Sequence, residues 1–322
     1  MTARAKRPPA LVDNHGRRIT YLRLSITDLC NLRCFYCMPE GIVNKLSHDE
    51  VLRHEEHLEV VRAAASLGFS KVRITGGEPL VKRGVVGLVH SIFRTEGIEQ
   101  TVMTTNGQRL VEMAEPLRVA GLQGLNVSLD SLDAETYGAI TRGGDLRRVL
   151  DGISAAIALG FPIKINTVLL RGTNTADLAS FVEFAGRLGI GLRFIERMGF
   201  ETEQPLFTQD EAIASLSERY RVEELDLDGA HPHVRRFSVG GLDVGFISPM
   251  THVFCGSCNK LRLQPDGSLR VCLASEEAVD VRAILRRPHE PEEVAEAIRR
   301  AVALKPAAAS WNAPSEMWKV GG

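Results

Sequence analysis

The six cysteines of this chain fall into two tight groups of three. Cys30, Cys34 and Cys37 form a C-x3-C-x2-C run, and Cys255, Cys258 and Cys272 form C-x2-C-x13-C. Disulfide frameworks of this density belong to short secreted chains. Here the chain has 322 residues, and no apolar h-region follows its basic first residues. Clustered thiols in such a chain are expected to hold metal. Three thiolates on one short loop suit three irons of a 4Fe–4S cluster and leave the fourth iron open, which is where chemistry can occur. Zinc would want a fourth ligand. At the first triad His15 or His48 could be conscripted, though neither has a recognised spacing, and at the second His252 could serve.

The remaining composition excludes several classes. Hydrophobic residues make up 44%, charged residues 25%, and the net charge is −1, so nothing in the balance points to nucleic acid. Any anionic ligand must be met by locally placed Arg and Lys. No stretch approaches the ~20 apolar residues of a membrane span. A cytoplasmic protein is expected, with residues 1–12 as a disordered basic tail.

Apolar alternation predicts a strand over Tyr21–Thr27, and helical periodicity follows from about Val51 to Leu67, stopping at Gly68. Strands are then read at Lys71–Thr75, Thr101–Thr105, Leu125–Leu129, Ile163–Leu170 and Leu192–Arg197. Helices lie between them, near Val85–Arg94, up to Gly121, at Leu146–Leu159 and at Asp177–Leu188. Strands alternating with helices imply parallel pairing and right-handed crossovers, in an open sheet or a partial barrel. Either way a ligand site lies beyond the carboxyl ends of the strands. The rhythm breaks at Gly199–Phe207, read as a linker. Beyond it come a helix at Gln209–Tyr220, strands at Arg235–Val239 and Leu242–Ile247, and a Leu261–Leu273 hairpin turning at Pro265-Asp266-Gly267. Two short helices follow.

The first triad, with Tyr36 just before its last cysteine, resembles the signature of the radical S-adenosylmethionine superfamily. Thr75-Gly76-Gly77-Glu78-Pro79 resembles that family's GGEP motif, and glycine there permits close backbone approach. Thr104-Thr105-Asn106-Gly107 and Ser128-Leu129-Asp130 end the third and fourth strands. The resemblance implies a partial (β/α)6 TIM-like barrel in an α/β fold, spanning 13–200. It also implies a cluster whose open iron chelates S-adenosylmethionine, and a 5′-deoxyadenosyl radical that takes hydrogen from substrate. Tyr36, Gly77, Ser128 and Met198 match that family's S-adenosylmethionine contacts.

From Cys258 to Leu273 the chain resembles the C-terminal cluster motif of the GTP 3′,8-cyclases, the molybdenum cofactor biosynthesis protein A family. The ending Glu316-Met-Trp-Lys-Val-Gly-Gly322 is similar too, and the resemblance runs from about Asp13 to Gly322. It implies that 201–322 is an α+β segment carrying a second 4Fe–4S cluster and closing the barrel mouth, with Gly321 and Gly322 reaching into the site. Guanine would bind the second cluster, and Arg23, Arg73, Thr104, Lys164, Lys260, Leu261 and Arg262 would hold GTP. Arg23, Arg73 and Lys164 lie on strands aimed at one pocket, where converging cations are costly unless an anion meets them. Lys260 stands where the family usually has Arg, keeping the charge but losing the bidentate fork. Arg197, between Glu196 and Met198, replaces the more usual aromatic.

The implied partners are GTP, a flavodoxin- or ferredoxin-like electron donor and a downstream cyclic pyranopterin monophosphate synthase, with a homodimer left open. Two other readings stay open at this point. One is a peptide-modifying or activase-type radical enzyme with an auxiliary cluster, and the other is a zinc-binding module without catalysis.

Overall fold

Helix starts and stops follow local chemistry in this computed structural model, which describes residues 8–38, 45–198, 205–225 and 234–309. The chain opens with two short strands, β1 (Leu11–Val12) and β2 (Arg18–Ile19), then β3 (Tyr21–Ser25) and α1 (His54–Ser66). Helix α1 starts three residues later than its periodicity predicts, because Arg53 and Glu56 form a capping box. It ends at Gly68 as expected: φ is +86° there, and a Cβ would lie 2.7 Å from the Ala10 backbone.

The alternation continues through β4 (Lys71–Thr75), α2 (Val85–Phe93), β5 (Gln100–Thr105), α3 (Leu110–Val119) and β6 (Leu125–Ser128). Next come α4 (Ala134–Thr141), α5 (Leu146–Ala158), β7 (Ile163–Leu169), α6 (Leu178–Leu188) and β8 (Gly191–Glu196). Helix α5 shows the usual logic: Asp145 caps it by accepting from the Arg147 and Arg148 amides, and it buries Leu146, Val149, Ile153 and Ala156 on one face. The rest is α7 (Gln209–Ser217), β9 (Val222–Glu224), β10 (Arg235–Val239), β11 (Leu242–Ile247), β12 (Lys260–Leu263), β13 (Ser268–Arg270), β14 (Ala278–Asp280), α8 (Arg282–Leu285) and α9 (Pro291–Ala303).

All but β1 and β2 join one sheet, ordered β14-β13-β12-β3-β4-β5-β6-β7-β8-β11-β10-β9. Strands β3 to β8 are parallel and in chain order, which confirms the α/β class. The C-terminal region adds a strand at each flank of this block, β12 parallel to β3 and β11 parallel to β8. Nothing separates the two regions into different sheets.

Three expectations need correction. Residues 11 and 12 do not belong to a disordered tail. They pair with β2, and the Leu11 amide donates to the Leu67 carbonyl. Helix α4 was not foreseen, because it is short and its buried Tyr137, Ile140 and Thr141 form a single i, i+3, i+4 set with no repeat to extend it. And α9 is a full helix of 13 residues, started by Pro291 and a Glu290–Glu293 capping box, rather than a short one.

Period-2 alternation then sorts the side chains. Leu22 and Leu24, Val72 and Ile74, Leu192 and Phe194, and Leu261 and Leu263 are buried in the hydrophobic core. Their alternates Tyr21, Arg23, Lys71, Arg73, Arg193, Lys260 and Arg262 share the other face. The register places Lys260 beside Tyr21, Tyr21 beside Lys71, and Arg23 between Arg262 and Arg73.

Candidate functional site

The first triad sits on the loop that leaves β3. Its backbone is fastened to the end of α4, where Arg33 and Phe35 amides donate to the Thr141 and Ile140 carbonyls. The helix missed from the sequence is therefore what holds this loop. Tyr36 ties the loop to the sheet by donating to Asp130 at 2.7 Å. Gly77 presses against it from the other side: a Cβ there would lie 2.4 Å from the Leu29 carbonyl oxygen, so only glycine fits. Glu78 is buried and accepts from the Leu80 amide, the Thr105 hydroxyl and the Asn106 amide. Burial pushes its carboxyl up to about 7 despite those bonds.

Cys30, Cys34 and Cys37 line one cavity with Tyr36, Gly77, Ser128, Asp130 and Met198. Burial, then the Asp130 carboxylate and the two other thiols, raises the Cys34 thiol well above its ordinary value. Burial, Cys30 and Asp130 push Cys37 up to about 12. Three thiols on one cavity wall fit a cationic body between them, since a metal deprotonates a coordinating thiol outright. Two N–H groups already point at one sulfur, from Leu32 (3.4 Å) and Asn106 (3.8 Å) to Cys30.

The second triad is assembled by the β12–β13 hairpin, which returns Cys272 toward Cys258, while Cys255 opens the preceding 3-10 turn. The Ala309 amide donates to the Cys255 sulfur at 3.2 Å. Cys258 departs from the first triad's behaviour. Burial alone would raise it, but Lys305, Arg262 and Lys260 together bring it below its ordinary value. None of the three histidines considered as zinc ligands lines either triad's cavity. His252 is engaged with Asp210 and Arg235, and His15 with the Lys305 carbonyl. No three His, Cys, Asp or Glu side chains among the described residues are set to hold a single metal ion.

All three second-triad cysteines line another cavity, with Tyr21, Arg23, Lys71, Arg73, Thr104, Lys164, Arg193, Lys260 and Arg262. No Asp or Glu is among its described lining residues. Burial and repulsion by Arg193, Lys71 and Arg73 lower Lys164 to about 8, although its side chain stays accessible. Lys260 is pushed well below the lysine range by burial and by Arg262, and its ammonium lies over the Tyr21 and Phe254 rings at 5.9 and 5.5 Å. Arg73 donates to the Tyr21 hydroxyl at 2.5 Å and to the Thr104 hydroxyl at 3.2 Å. Burial works against it, but Arg73, Arg23 and Lys71 bring the Tyr21 phenol down to about 8. Asn166 Oδ1 and Arg262 Nε are buried without a protein partner. So many cations, with unmet polar atoms and no carboxylate, fit a polyanionic ligand.

The two cavities share Thr104, Asn166, Ile195 and Met198 as lining residues, so they adjoin. Of the residues expected to ligate a cluster or to contact S-adenosylmethionine or GTP, Leu261 alone among the described ones lines neither cavity. It is fully buried in the core, on the opposite face of β12 from Lys260 and Arg262. Gly321 and Gly322 lie outside the described residues. Sequence reasoning missed Tyr21, Lys71 and Arg193; period-2 spacing from Arg23 and Arg73 would have found the first two.

Two family models match the chain. The radical SAM superfamily covers residues 24–185, and the Molybdenum Cofactor Synthesis C family covers residues 190–311. The fold resembles that of Streptococcus suis SuiB bound to precursor peptide SuiA, with a TM-score of 0.64 at 14% identity over 95% of this chain and 72% of that one. The class defined by this fold and by the first triad is the radical S-adenosylmethionine superfamily. Among curated relatives, the GTP 3′,8-cyclase of Geobacter sulfurreducens is 45% identical over 92% of this chain and 93% of its own length. That of Peptoclostridium acidaminophilum is 44% identical over 86% and 87%. The chain belongs to the GTP 3′,8-cyclase family.

Proposed function

We propose that this enzyme converts GTP to 3′,8-cyclo-7,8-dihydro-GTP by radical S-adenosylmethionine chemistry, the first step of molybdenum cofactor biosynthesis. One observation carries the proposal: a thiol-lined cavity suited to an open-iron cluster adjoins a carboxylate-free, cation-lined cavity suited to a triphosphate. In this reading Cys30, Cys34 and Cys37 hold one 4Fe–4S cluster, and Cys255, Cys258 and Cys272 hold a second. With S-adenosylmethionine bound, the first cluster supplies the one-electron cleavage that lets hydrogen be taken from the ribose.

Tyr36, Gly77, Ser128 and Met198 would seat S-adenosylmethionine. Arg23, Arg73, Thr104, Lys164, Lys260 and Arg262 would hold the triphosphate, joined by Lys71 and Arg193. Their work is positioning, which brings the two ends of one substrate within reach of each other. Residues 13–200 would form the radical domain, curled into a partial barrel, with 201–322 closing its mouth. The enzyme would act in the cytoplasm, drawing electrons from a flavodoxin- or ferredoxin-like donor and passing its product to cyclic pyranopterin monophosphate synthase.

The decisive test is anaerobic reconstitution with iron and sulfide, followed by S-adenosylmethionine, dithionite and GTP. Appearance of 5′-deoxyadenosine together with a cyclised dihydro-GTP supports the assignment. If 5′-deoxyadenosine forms while GTP is recovered intact, the substrate is wrong.

A further inference from the structure

Lys305 follows helix α9 and is only 3% exposed, an uncommon place for an ammonium group. All three of its hydrogens have an acceptor: the Lys260 carbonyl at 2.8 Å, the Val271 carbonyl at 2.9 Å and the Cys258 sulfur at 3.9 Å. Each acceptor belongs to the frame of the second triad. Val271 immediately precedes Cys272, and Lys260 opens the strand that follows Cys258. The anionic groups that face Lys305 are Cys258 and Cys272, while Arg262 and Arg17 are the nearby cations.

The same stretch of chain reaches the third cysteine. Arg17, itself paired with Asp13 at 2.6 Å, donates to the Cys255 carbonyl at 2.8 Å and to the Pro306 carbonyl at 2.7 Å. The Ala309 amide meets the Cys255 sulfur. Residues 305–309, with Arg17, thus lace the triad together, and Lys305 is the charged side chain that reaches a cysteine sulfur.

We propose that Lys305 is the positioning residue and built-in counter-charge of the second triad, and that it raises the reduction potential of the cluster held there. This rests on the second triad carrying a 4Fe–4S cluster. The potential of such a cluster depends on net charge, hydrogen bonds to its sulfurs and exposure to solvent. Reduction adds negative charge, so a buried cation hydrogen-bonded to a ligating sulfur stabilises the reduced state, and low local dielectric enlarges the effect. Burying an ammonium without an anion is costly. Its retention here matches a site that is anionic when filled.

The test is a potentiometric EPR titration of the reconstituted full-length enzyme, with dithionite as reductant. The first cluster's signal is set apart by its response to S-adenosylmethionine. Lys305→Met should shift the second cluster's reduction equilibrium at least tenfold toward the oxidised form, about 59 mV lower for a one-electron couple. Lys305→Gln, which keeps donors without charge, should shift it the same way, and Lys305→Arg should stay near the unsubstituted enzyme. An unchanged potential in the Met or Gln variant overturns the proposal. If the neutral variants lose the second cluster while Lys305→Arg retains it, the counter-charge role stands. Loss in all three shows a purely steric role and overturns it. Unsubstituted enzyme that reconstitutes with a single four-iron cluster refutes the cluster assignment of the second triad instead, so the two failures are distinguishable.

Discussion

Tyr36 donates its hydroxyl hydrogen to Asp130 Oδ2 at 2.7 Å, joining the first cysteine loop to the segment that leaves strand β6. The other Asp130 oxygen accepts from the Val168 amide at 2.8 Å, so both ends of this buried carboxylate are engaged. Removing the phenol hydroxyl leaves one oxygen without its donor, which costs about 1–3 kcal/mol in a buried setting. Tyr36→Phe should therefore lower the urea midpoint of the iron-free chain and speed iron loss to a chelator after reconstitution. Unchanged values in both would show that the loop's other contacts, to α4 and to Gly77, hold it without this bond.

Asp130 also makes a pH prediction. Burial raises its carboxyl from an ordinary 3.8 to about 6, even against the bonds from Tyr36 and Val168. A raised acid binds its proton more tightly in the folded state, so the folded chain holds more protons than the unfolded one between those values. The contribution to stability is therefore fully present below about pH 4 and is lost as pH rises through 6. Its size is on the order of 3 kcal/mol. Urea titrations of iron-free Asp130→Asn and the unsubstituted chain at pH 4, 5, 6 and 7 should show the advantage of aspartate shrinking as pH rises. A difference that is flat with pH would refute the shifted carboxyl.

What the sequence exposed and what it hid differ in physical kind. Strands β3 to β8 were legible because alternation and glycine-ended helices are local patterns. The triads were legible because a cluster needs several thiols close in sequence. Helix α4 escaped because eight residues hold a single i, i+3, i+4 set of buried positions with no repeat to extend it, and β1–β2 escaped because two-residue strands show no alternation. Leu261 was grouped with its charged neighbours by motif, whereas alternation sends it to the core. Lys305 could not have been found at all, since its role depends on contacts across 34 to 47 positions of chain.

The cation-lined cavity implies a trade between stability and binding. Lys260 is buried beside Arg262, Arg23 and Arg73, and these charges repel one another with no carboxylate lining the cavity among the described residues. Replacing a buried, poorly compensated charge with an apolar side chain of similar length is often neutral or stabilising. Lys260→Met should hold or raise the thermal midpoint of the nucleotide-free chain by up to a few degrees, corresponding to about 1 kcal/mol. The same change should weaken GTP binding at least tenfold in calorimetry. A substitution that lowers both would mean that Lys260 is mainly structural.

The two triads should be separable by experiment, because they line adjoining cavities rather than one. The residues the cavities share, Thr104, Asn166, Ile195 and Met198, include no thiol, so each triad can be emptied with the other's walls left in place. Replacing Cys30, Cys34 and Cys37 with Ala should remove about four irons per chain and abolish 5′-deoxyadenosine formation. Replacing Cys255, Cys258 and Cys272 should remove a similar amount of iron, yet leave S-adenosylmethionine cleavage measurable while cyclised product falls below detection. Iron content and both products can be followed in the same anaerobic samples. Loss of cleavage in the second variant, with its first cluster intact by EPR, would mean that the second site must be filled before the first can react.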